Sequence, residues 1–272
     1  MYDPVRYETN KSAAARDAEQ FVPMLVNHMT WKKNELILDY GCGAGSTGNK
    51  FVLPEVEKFD SKIHSVDISP DMIAHAKKTY PSPRVTFNVG DILQDNFPHK
   101  EVKFDKIFAV YVLHFVRNYR EALKRCYDLL QPGGYFGFTV LSKSTLYVLH
   151  EKLGTSEKWS KYMKGYENYI PEWFEQKEDS EVAFRRNLTQ LGYEIVELKP
   201  YRQEYDFESV NTVAELYLSL NPYVKVIPKE LLNDVKQEYT DFLRKHWNVP
   251  EGTDALCTNY ELLYGVVRKP LQ

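Results

Sequence analysis

The chain has 272 residues, 43% of them hydrophobic, and its formal net charge of −3 leaves no excess of Lys and Arg. These values fit one large α/β domain or two small ones, with a sizeable core and no nucleic-acid partner. Because the longest apolar run, residues 107–116, is too short to cross a bilayer, we expect a cytoplasmic protein with no membrane partner.

A helix is predicted near the N-terminus, over residues 7–27. Phe21 and Leu25 lie one turn apart in this segment and give the helix an apolar face. Such a helix could pack across the loop that follows the first strand and act as a lid over a ligand. Alternatively, it only packs against the sheet, which is the more ordinary role of an amphipathic helix.

A glycine-rich turn follows the first predicted strand, which ends near residue 38. The turn has the spacing D-x-G-x-G-x-G, and its members are Asp39, Gly41, Gly43 and Gly45. Glycine lets a ligand touch the backbone, and the helix predicted over residues 46–53 would begin with free N–H groups. The turn therefore predicts a site for a nucleoside-type cofactor. Ser46 replaces the third glycine of the dinucleotide fingerprint, which disfavours an NAD-dependent oxidoreductase.

Strands and helices then alternate as far as residue 141. Strands are predicted at 62–67, 85–89, 104–111 and 135–141, helices at 70–79 and 119–130, and a loop at 54–61. This alternation predicts a doubly wound, mostly parallel sheet with helices on both faces. The three widely spaced cysteines predict neither a disulfide framework nor a metal site.

Acidic residues follow the second and third predicted strands. Asp67 ends the second strand, at the place where ribose-binding acids of doubly wound folds lie, and Asp91 follows the third strand. Asp often ends a strand only because it favours turns. Three such acids in register with a glycine turn, counting Asp39, favour a ligand site at this edge of the sheet.

The alternation breaks after residue 141. Residues 142–180 and 206–249 are too long for connections in a compact fold, so we predict two helical insertions. A helix at 181–191 and strands at 193–205 and 260–267 complete the chain. Because no interdomain linker is visible, residues 1–272 are predicted to form a single domain, with the two insertions as a substrate cap.

Several motifs resemble those of known enzymes. Residues 39–45, Asp67 and residues 90–92 resemble the class I S-adenosylmethionine-dependent methyltransferases. Residues 111–117, 155–159, 219–222 and 260–267 are similar to the juvenile hormone acid O-methyltransferase family of arthropods, so that the resemblance covers nearly the whole chain. It implies a Rossmann-like sheet of seven strands in the order 3-2-1-4-5-7-6, and S-adenosylmethionine as the cofactor.

The resemblance also implies which residues bind the cofactor. The set is Asp39, Gly41, Gly43, Gly45, Asp67, Ile68, Asp91, Ile92 and Val110. In this set Asp39 would face the ammonium group, Asp67 would accept both ribose hydroxyls, and Asp91 would accept the adenine amino group. The glycines would lie against the methionine half, the two isoleucines would pack on the adenine, and the valine would lie near the sulfonium.

Fewer residues indicate the acceptor site. His114 follows the fourth strand and could hydrogen-bond the acceptor or act as a base, or its ring could be satisfied by neighbouring backbone. The resembling family holds a substrate carboxylate with a Gln and a Trp, and these positions fall on Ala14 and Phe115 here. Neither side chain carries a donor. Tyr111 and Trp159 are candidate walls of the acceptor pocket.

Methyl transfer from a sulfonium requires alignment and exclusion of water rather than a catalytic triad. We therefore predict an S-adenosylmethionine-dependent methyltransferase with a small, largely apolar acceptor, O-methylating a juvenile hormone acid-like or other small molecule. Because the Gln and Trp are replaced, juvenile hormone acid and farnesoic acid are expected to be poor acceptors. N-methylation of a small amine and a non-catalytic ligand-binding role are the alternatives.

Overall fold

Seven strands form one sheet in the order β3-β2-β1-β4-β5-β7-β6 in the computed structural model, which describes residues 3–271. The strands are β1 (Leu36–Tyr40), β2 (Lys62–Asp67), β3 (Val85–Val89), β4 (Phe104–Val110), β5 (Leu130–Lys143), β6 (Glu194–Phe207) and β7 (Leu256–Arg268). Strands β1 to β5 pair in parallel, whereas β7 runs antiparallel to both β5 and β6. This topology confirms the predicted doubly wound sheet and the strand order that the resemblance implies.

Helices cover both faces of the sheet. They are α1 (Pro4–Asn10), α2 (Ser12–Asn27), α3 (Leu53–Lys58), α4 (Pro70–Thr79), α5 (Tyr119–Leu129), α6 (Thr145–Gly154), α7 (Glu172–Glu175), α8 (Ser180–Gln190), α9 (Val210–Leu220) and α10 (Leu232–His246). Buried side chains of α2 and α3 pack on one face, and those of α5 and α8 pack on the other. Within residues 3–271, no helix is long and apolar enough to cross a membrane.

The N-terminal helix differs from the predicted one. The helix predicted over residues 7–27 is two helices, because the backbone leaves the helical conformation at Lys11, where ψ is 25°. Asp3 caps α1 by accepting the N–H of Arg6 at 2.9 Å. Pro4 occupies the first turn, where its missing N–H is not needed. Helix α1 therefore begins earlier than the apolar pattern of the sequence indicates.

The loop predicted over residues 54–61 is wrong for its first part, which forms α3. A π-helical turn, Gly48–Val52, leads directly into that helix. Pro54 lies in the first turn of α3, where the fixed φ of proline suits the helical backbone. The predicted helix over residues 46–53 ends just before Pro54, whereas in the structure this proline lies at the beginning of the next helix.

The two insertions pack against each other. Residues 142–180 contain α6 and α7, and residues 206–249 contain α9 and α10. Their buried side chains share one apolar cluster, which includes Leu149, Trp159, Val213 and Tyr239. This cluster is separate from the clusters formed by the side chains that pack on the two faces of the sheet.

Strands β3 and β6 form the two edges of the sheet. β3 has 5 residues, whereas β6 has 14 and contains Pro200. β6 pairs with β7 from Glu194 to Phe207, and Phe207 lies opposite Leu256. Because this pairing continues beyond the predicted end of β6, β7 begins at Leu256 rather than at residue 260.

Candidate cofactor and acceptor site

The glycine turn after β1 has a backbone that depends on glycine. Gly41, Gly43 and Gly45 have φ angles of 71°, 54° and 89°, in the left-handed region. A Cβ on Gly41 would lie 2.3 Å from Cγ2 of Val112, so a side chain there would displace the segment after β4. A Cβ on Gly45 would lie 3.0 Å from Cβ of Ala76. Gly45 therefore packs against α4, while the other two glycines border cavities.

Asp67 joins the glycine turn to the end of β2. Its carboxylate accepts the N–H of Gly43 at 2.9 Å on Oδ2 and the N–H of Ser69 at 2.8 Å on Oδ1. The side chain is buried, and burial raises the pKa of Asp67, which the two N–H donors oppose. It lines a cavity of about 720 Å³. The side chains around that cavity include Asp67, Ile68, Asp91, Leu93, Tyr111, Val112 and Phe115.

The two isoleucines expected to pack on an adenine lie in different environments. Ile68 is 66% exposed and lines the 720 Å³ cavity. Ile92 is 2% exposed, belongs to the sheet core and does not line the 720 Å³ cavity, so its contact with the cofactor stays a prediction. Asp91 accepts the N–H of Leu93 at 3.0 Å, and this turn directs Leu93 to the cavity instead.

Asp39 lies in a small pocket beside the glycine turn. The pocket has a volume of about 40 Å³ and is also lined by Gly43, Val110 and Tyr111. Ser65 donates a hydrogen bond to the carboxylate at 3.3 Å. Burial raises the pKa of Asp39 to about 7, and the charge of Asp67 adds to the increase. A cationic group in this pocket would favour the ionised carboxylate.

Tyr111 lies where three cavities meet. It lines the 720 Å³ cavity, the pocket of Asp39 and a third pocket of about 90 Å³. Its φ is 60°, an uncommon conformation for a residue with a side chain. The backbone N–H of Tyr111 donates to the carbonyl oxygen of Thr139 at 3.0 Å. This turn directs the chain away from β4 immediately after its last residue.

The third pocket is the candidate acceptor pocket, and aromatic and aliphatic side chains dominate its lining. Four of the residues predicted for the acceptor side line it: Ala14, Tyr111, His114 and Phe115. Trp159 does not, because it is 1% exposed inside the cluster of the insertions. Further lining residues include Tyr7, Leu146, Val213, Leu216, Tyr217 and Tyr260. The helical spacing of Val213 and Leu216 was visible in the sequence, but nothing there showed that this face meets a ligand.

His114 is buried, and its backbone environment determines which atom carries the proton. The N–H of Leu141 donates to Nδ1 at 3.3 Å. Burial lowers the pKa of His114 to about 3, so the ring is neutral and its proton resides on Nε2. Because His114 lines the candidate acceptor pocket, Nε2–H is a hydrogen-bond donor there. A general base needs a free lone pair, and the lone pair on Nδ1 of His114 already accepts the N–H of Leu141.

The residues fit S-adenosylmethionine on three grounds. The cofactor carries an ammonium and a sulfonium, and the buried carboxylates of Asp39 and Asp67 lie in or beside cavities that need cationic compensation. The turn at Gly41 and Gly43 leaves backbone accessible where side chains would fill the space. Ile68 and Leu93 provide apolar contact for a flat ring in the larger cavity.

Comparison with known proteins finds a match for the part of the chain that holds the cofactor-side residues. Residues 37–134 match the sequence family described as a methyltransferase domain. The juvenile hormone acid O-methyltransferase of Bombyx mori is 26% identical over 97% of this chain and 96% of its own length. The corresponding enzyme of Drosophila melanogaster is 25% identical over 97% of this chain and 91% of its own length.

Solved structures show the same fold. A Bacillus halodurans protein described as a candidate methyltransferase has a TM-score of 0.59 and 18% identity, covering 92% of this chain and 98% of that protein. The [4+2]-cyclase SpnF has a TM-score of 0.54 and 17% identity over 92% of this chain and 81% of its own. Residues 37–134 therefore match a methyltransferase domain, the sheet has the fold of those solved structures, and the chain resembles juvenile hormone acid O-methyltransferases along nearly its whole length. The matched domain and the fold imply S-adenosylmethionine as the cofactor.

Proposed function

We propose that this S-adenosylmethionine-dependent methyltransferase transfers a methyl group to an oxygen of a small, largely apolar acceptor. The observation that supports the proposal is the pocket that adjoins the cofactor cavity at Tyr111. Among the described residues that line it, none is Asp, Glu, Lys or Arg. Such a pocket favours an acceptor without a second charged group, and the similarity to O-methyltransferases favours oxygen as the methylated atom.

The cofactor would be held by the residues at the strand ends. We propose that Asp67 accepts the ribose hydroxyls, Asp91 the adenine amino group, and Asp39 the ammonium, while Gly41 and Gly43 contact the methionine half. Val110 and Tyr111 border the pocket of Asp39 and would lie nearest the sulfonium. When bound, the cofactor supplies an electrophilic methyl group, so the protein has to bind, align and exclude water.

His114 would orient the acceptor through its Nε2–H donor. Because Leu141 occupies Nδ1 and the ring is neutral, His114 is not expected to remove a proton from the acceptor. A carboxylate has no proton to lose at neutral pH and therefore needs no base. An alcohol would depend on water to accept its proton. His114 would therefore supply a hydrogen bond rather than remove a proton, whichever oxygen is methylated.

How fast a carboxylate is methylated also depends on the hydrogen bonds that the pocket offers it. Ala14 and Phe115 line the pocket and carry no donors, so a carboxylate would have to rely on His114 for hydrogen bonding. A hydrogen bond to a charged group contributes about 1.5–3 kcal/mol. We therefore propose that juvenile hormone acid and farnesoic acid are poor acceptors and that another small apolar molecule is preferred.

The insertions would form the cap over this pocket. α6 contributes Thr145 and Leu146 to the lining, and α9 contributes Val213, Leu216 and Tyr217. Both helices belong to the segments that interrupt the sheet alternation. We propose that residues 142–180 and 206–249 act together as the substrate cap of one domain.

The test compares wild type with the double variant Ala14→Gln plus Phe115→Trp on farnesoic acid, following formation of S-adenosylhomocysteine. We expect slow turnover by the wild type and an increase of at least tenfold in the double variant. Ala14→Met plus Phe115→Trp is the matched control, because Met has the size of Gln without its donor. Efficient methylation by the wild type would contradict the proposed weakness toward carboxylates.

The same assay separates the other functions when an acceptor panel is used. Turnover confined to amines would indicate N-methylation. Cofactor binding without turnover on any acid, alcohol or amine would indicate a non-catalytic ligand-binding protein, and O-methylation would then be rejected.

A further inference from the structure

A buried carboxylate on α2 holds the hydroxyl groups of two tyrosines. Asp17 has no solvent exposure, and its Oδ2 accepts the hydroxyls of Tyr111 at 2.5 Å and Tyr260 at 2.6 Å. Arg16 donates from Nη2 to Oδ1 at 2.9 Å and to the hydroxyl oxygen of Tyr260 at 3.0 Å. The network joins α2, the segment after β4 and strand β7.

The network determines which part of Tyr111 faces the cavities. The bond from its hydroxyl to Asp17 fixes the side chain of Tyr111, the residue that lines the cofactor cavity, the pocket of Asp39 and the acceptor pocket. The backbone conformation at φ 60° is unfavourable for tyrosine, so other contacts must compensate for it. The hydrogen bond to a buried carboxylate is one such contact.

The electronic consequence is an electron-rich ring. A phenol that donates to a carboxylate gains electron density on oxygen, and the ring shares it. Burial and the charge of Asp17 raise the pKa of Tyr111, so the hydroxyl stays protonated and remains a donor. Aromatic rings attract cations over their faces, and desolvation strengthens the attraction.

We propose that Asp17 is a positioning residue, which holds the Tyr111 ring at the junction of the cavities so that it stabilises the positively charged sulfonium of the cofactor. The proposal rests on the proposed function, since it assumes that S-adenosylmethionine is the methyl donor. It predicts that the Tyr111 ring favours binding of S-adenosylmethionine, whose sulfur is positively charged, over binding of S-adenosylhomocysteine, whose sulfur is neutral. The two ligands differ only in the methyl group on that sulfur and in the charge.

The test measures the dissociation constants of both ligands by calorimetry. The variants are Tyr111→Leu, which removes the ring, Tyr111→Phe, which removes only the hydroxyl, and Asp17→Asn. We expect the preference for S-adenosylmethionine over S-adenosylhomocysteine to fall by about 3- to 30-fold in Tyr111→Leu, the range of cation–π interactions. It should fall less in Tyr111→Phe and Asp17→Asn. If Asp17→Asn does not fold, Tyr111→Phe still tests the same hydrogen bond.

Tyr264→Phe is the matched control. Tyr264 is buried on β7, its hydroxyl bonds Nδ1 of His28 at 2.8 Å, and it lines none of the three cavities. The Tyr264→Phe substitution should leave the ratio of the two dissociation constants unchanged. If the variants weaken both ligands equally, Asp17 only supports the fold and the proposal is overturned. If the wild type binds neither ligand, the proposed cofactor is wrong, and this proposal is rejected with it.

Discussion

Replacing Asp67 by alanine should abolish tight cofactor binding. A carboxylate offers roughly four lone-pair positions, and the N–H groups of Gly43 and Ser69 occupy two of them here. About two remain for ribose hydroxyls, each bond being worth about 1.5–3 kcal/mol. Asp67→Ala should therefore weaken S-adenosylmethionine binding by about 3–6 kcal/mol, or roughly 10²- to 10⁴-fold.

The assay has to distinguish the loss of ribose binding from the effect of losing the hydrogen bonds that Asp67 accepts from Gly43 and Ser69. Calorimetric titration of adenosine and 2′,3′-dideoxyadenosine provides a double-mutant cycle, in which one change lies in the ligand and the other in the protein. We expect the wild type to prefer adenosine, and Asp67→Ala to bind the two nucleosides equally. A thermal melt of the variant reports any loss of folding caused by the unpaired N–H groups.

Asp71→Ala serves as the control for a nearby carboxylate. Asp71 is exposed on α4, forms an ion pair with Lys225 at 2.9 Å and lies outside the cavities described here. Its replacement should change cofactor affinity less than twofold, since surface ion pairs contribute about 0–1 kcal/mol. Undiminished affinity of Asp67→Ala for S-adenosylmethionine would refute the assigned role of Asp67.

Two further predictions concern pH and the cap. Because burial raises the pKa of Asp39 to about 7 and an ammonium favours the ionised carboxylate, S-adenosylmethionine affinity should increase as pH rises through about 7. Calorimetry at pH 6.5 in buffers of different ionisation enthalpy should then detect proton release, which Asp39→Asn should eliminate. Hydrogen exchange in residues 142–180 and 206–249 should slow when an acceptor binds, and a response confined to the opposite end of the sheet would contradict the cap.

The strands of the sheet could be predicted because each one is marked by a pattern of neighbouring residues in the sequence. Apolar runs that end in a turn residue mark each of the parallel strands, and the bounds of β2 and α4 agree with the predicted ones. Lys106 is a charged residue in the buried strand β4. Its ammonium group forms an ion pair with the carboxylate of Glu35, which makes the burial of the charge possible. Such a partner, which is distant in the sequence, cannot be identified from the pattern of one strand.

The cofactor side of the site was also more predictable than the acceptor side. Asp39 is the next-to-last residue of β1 and Asp67 the last of β2, so the parallel register of the two strands places both at the same end of the sheet. The acceptor pocket instead combines α1, α2, α6, α9 and β7, and Tyr7 and Tyr260 reach it from opposite ends of the chain. Trp159 lies in the core of the insertions and not in the lining of this pocket, and an aromatic residue in an insertion can pack in a local core as readily as it can contact a ligand.

The edge strand β6 bears on how this protein behaves at high concentration. An exposed strand of 14 residues could recruit a strand from another molecule and begin aggregation. Pro200 lacks the N–H that such pairing needs, and charged side chains occur along the strand at Glu194, Glu197, Lys199, Arg202, Glu204 and Asp206. The opposite edge, β3, has only 5 residues. Both edges therefore oppose the growth of a continuous intermolecular sheet.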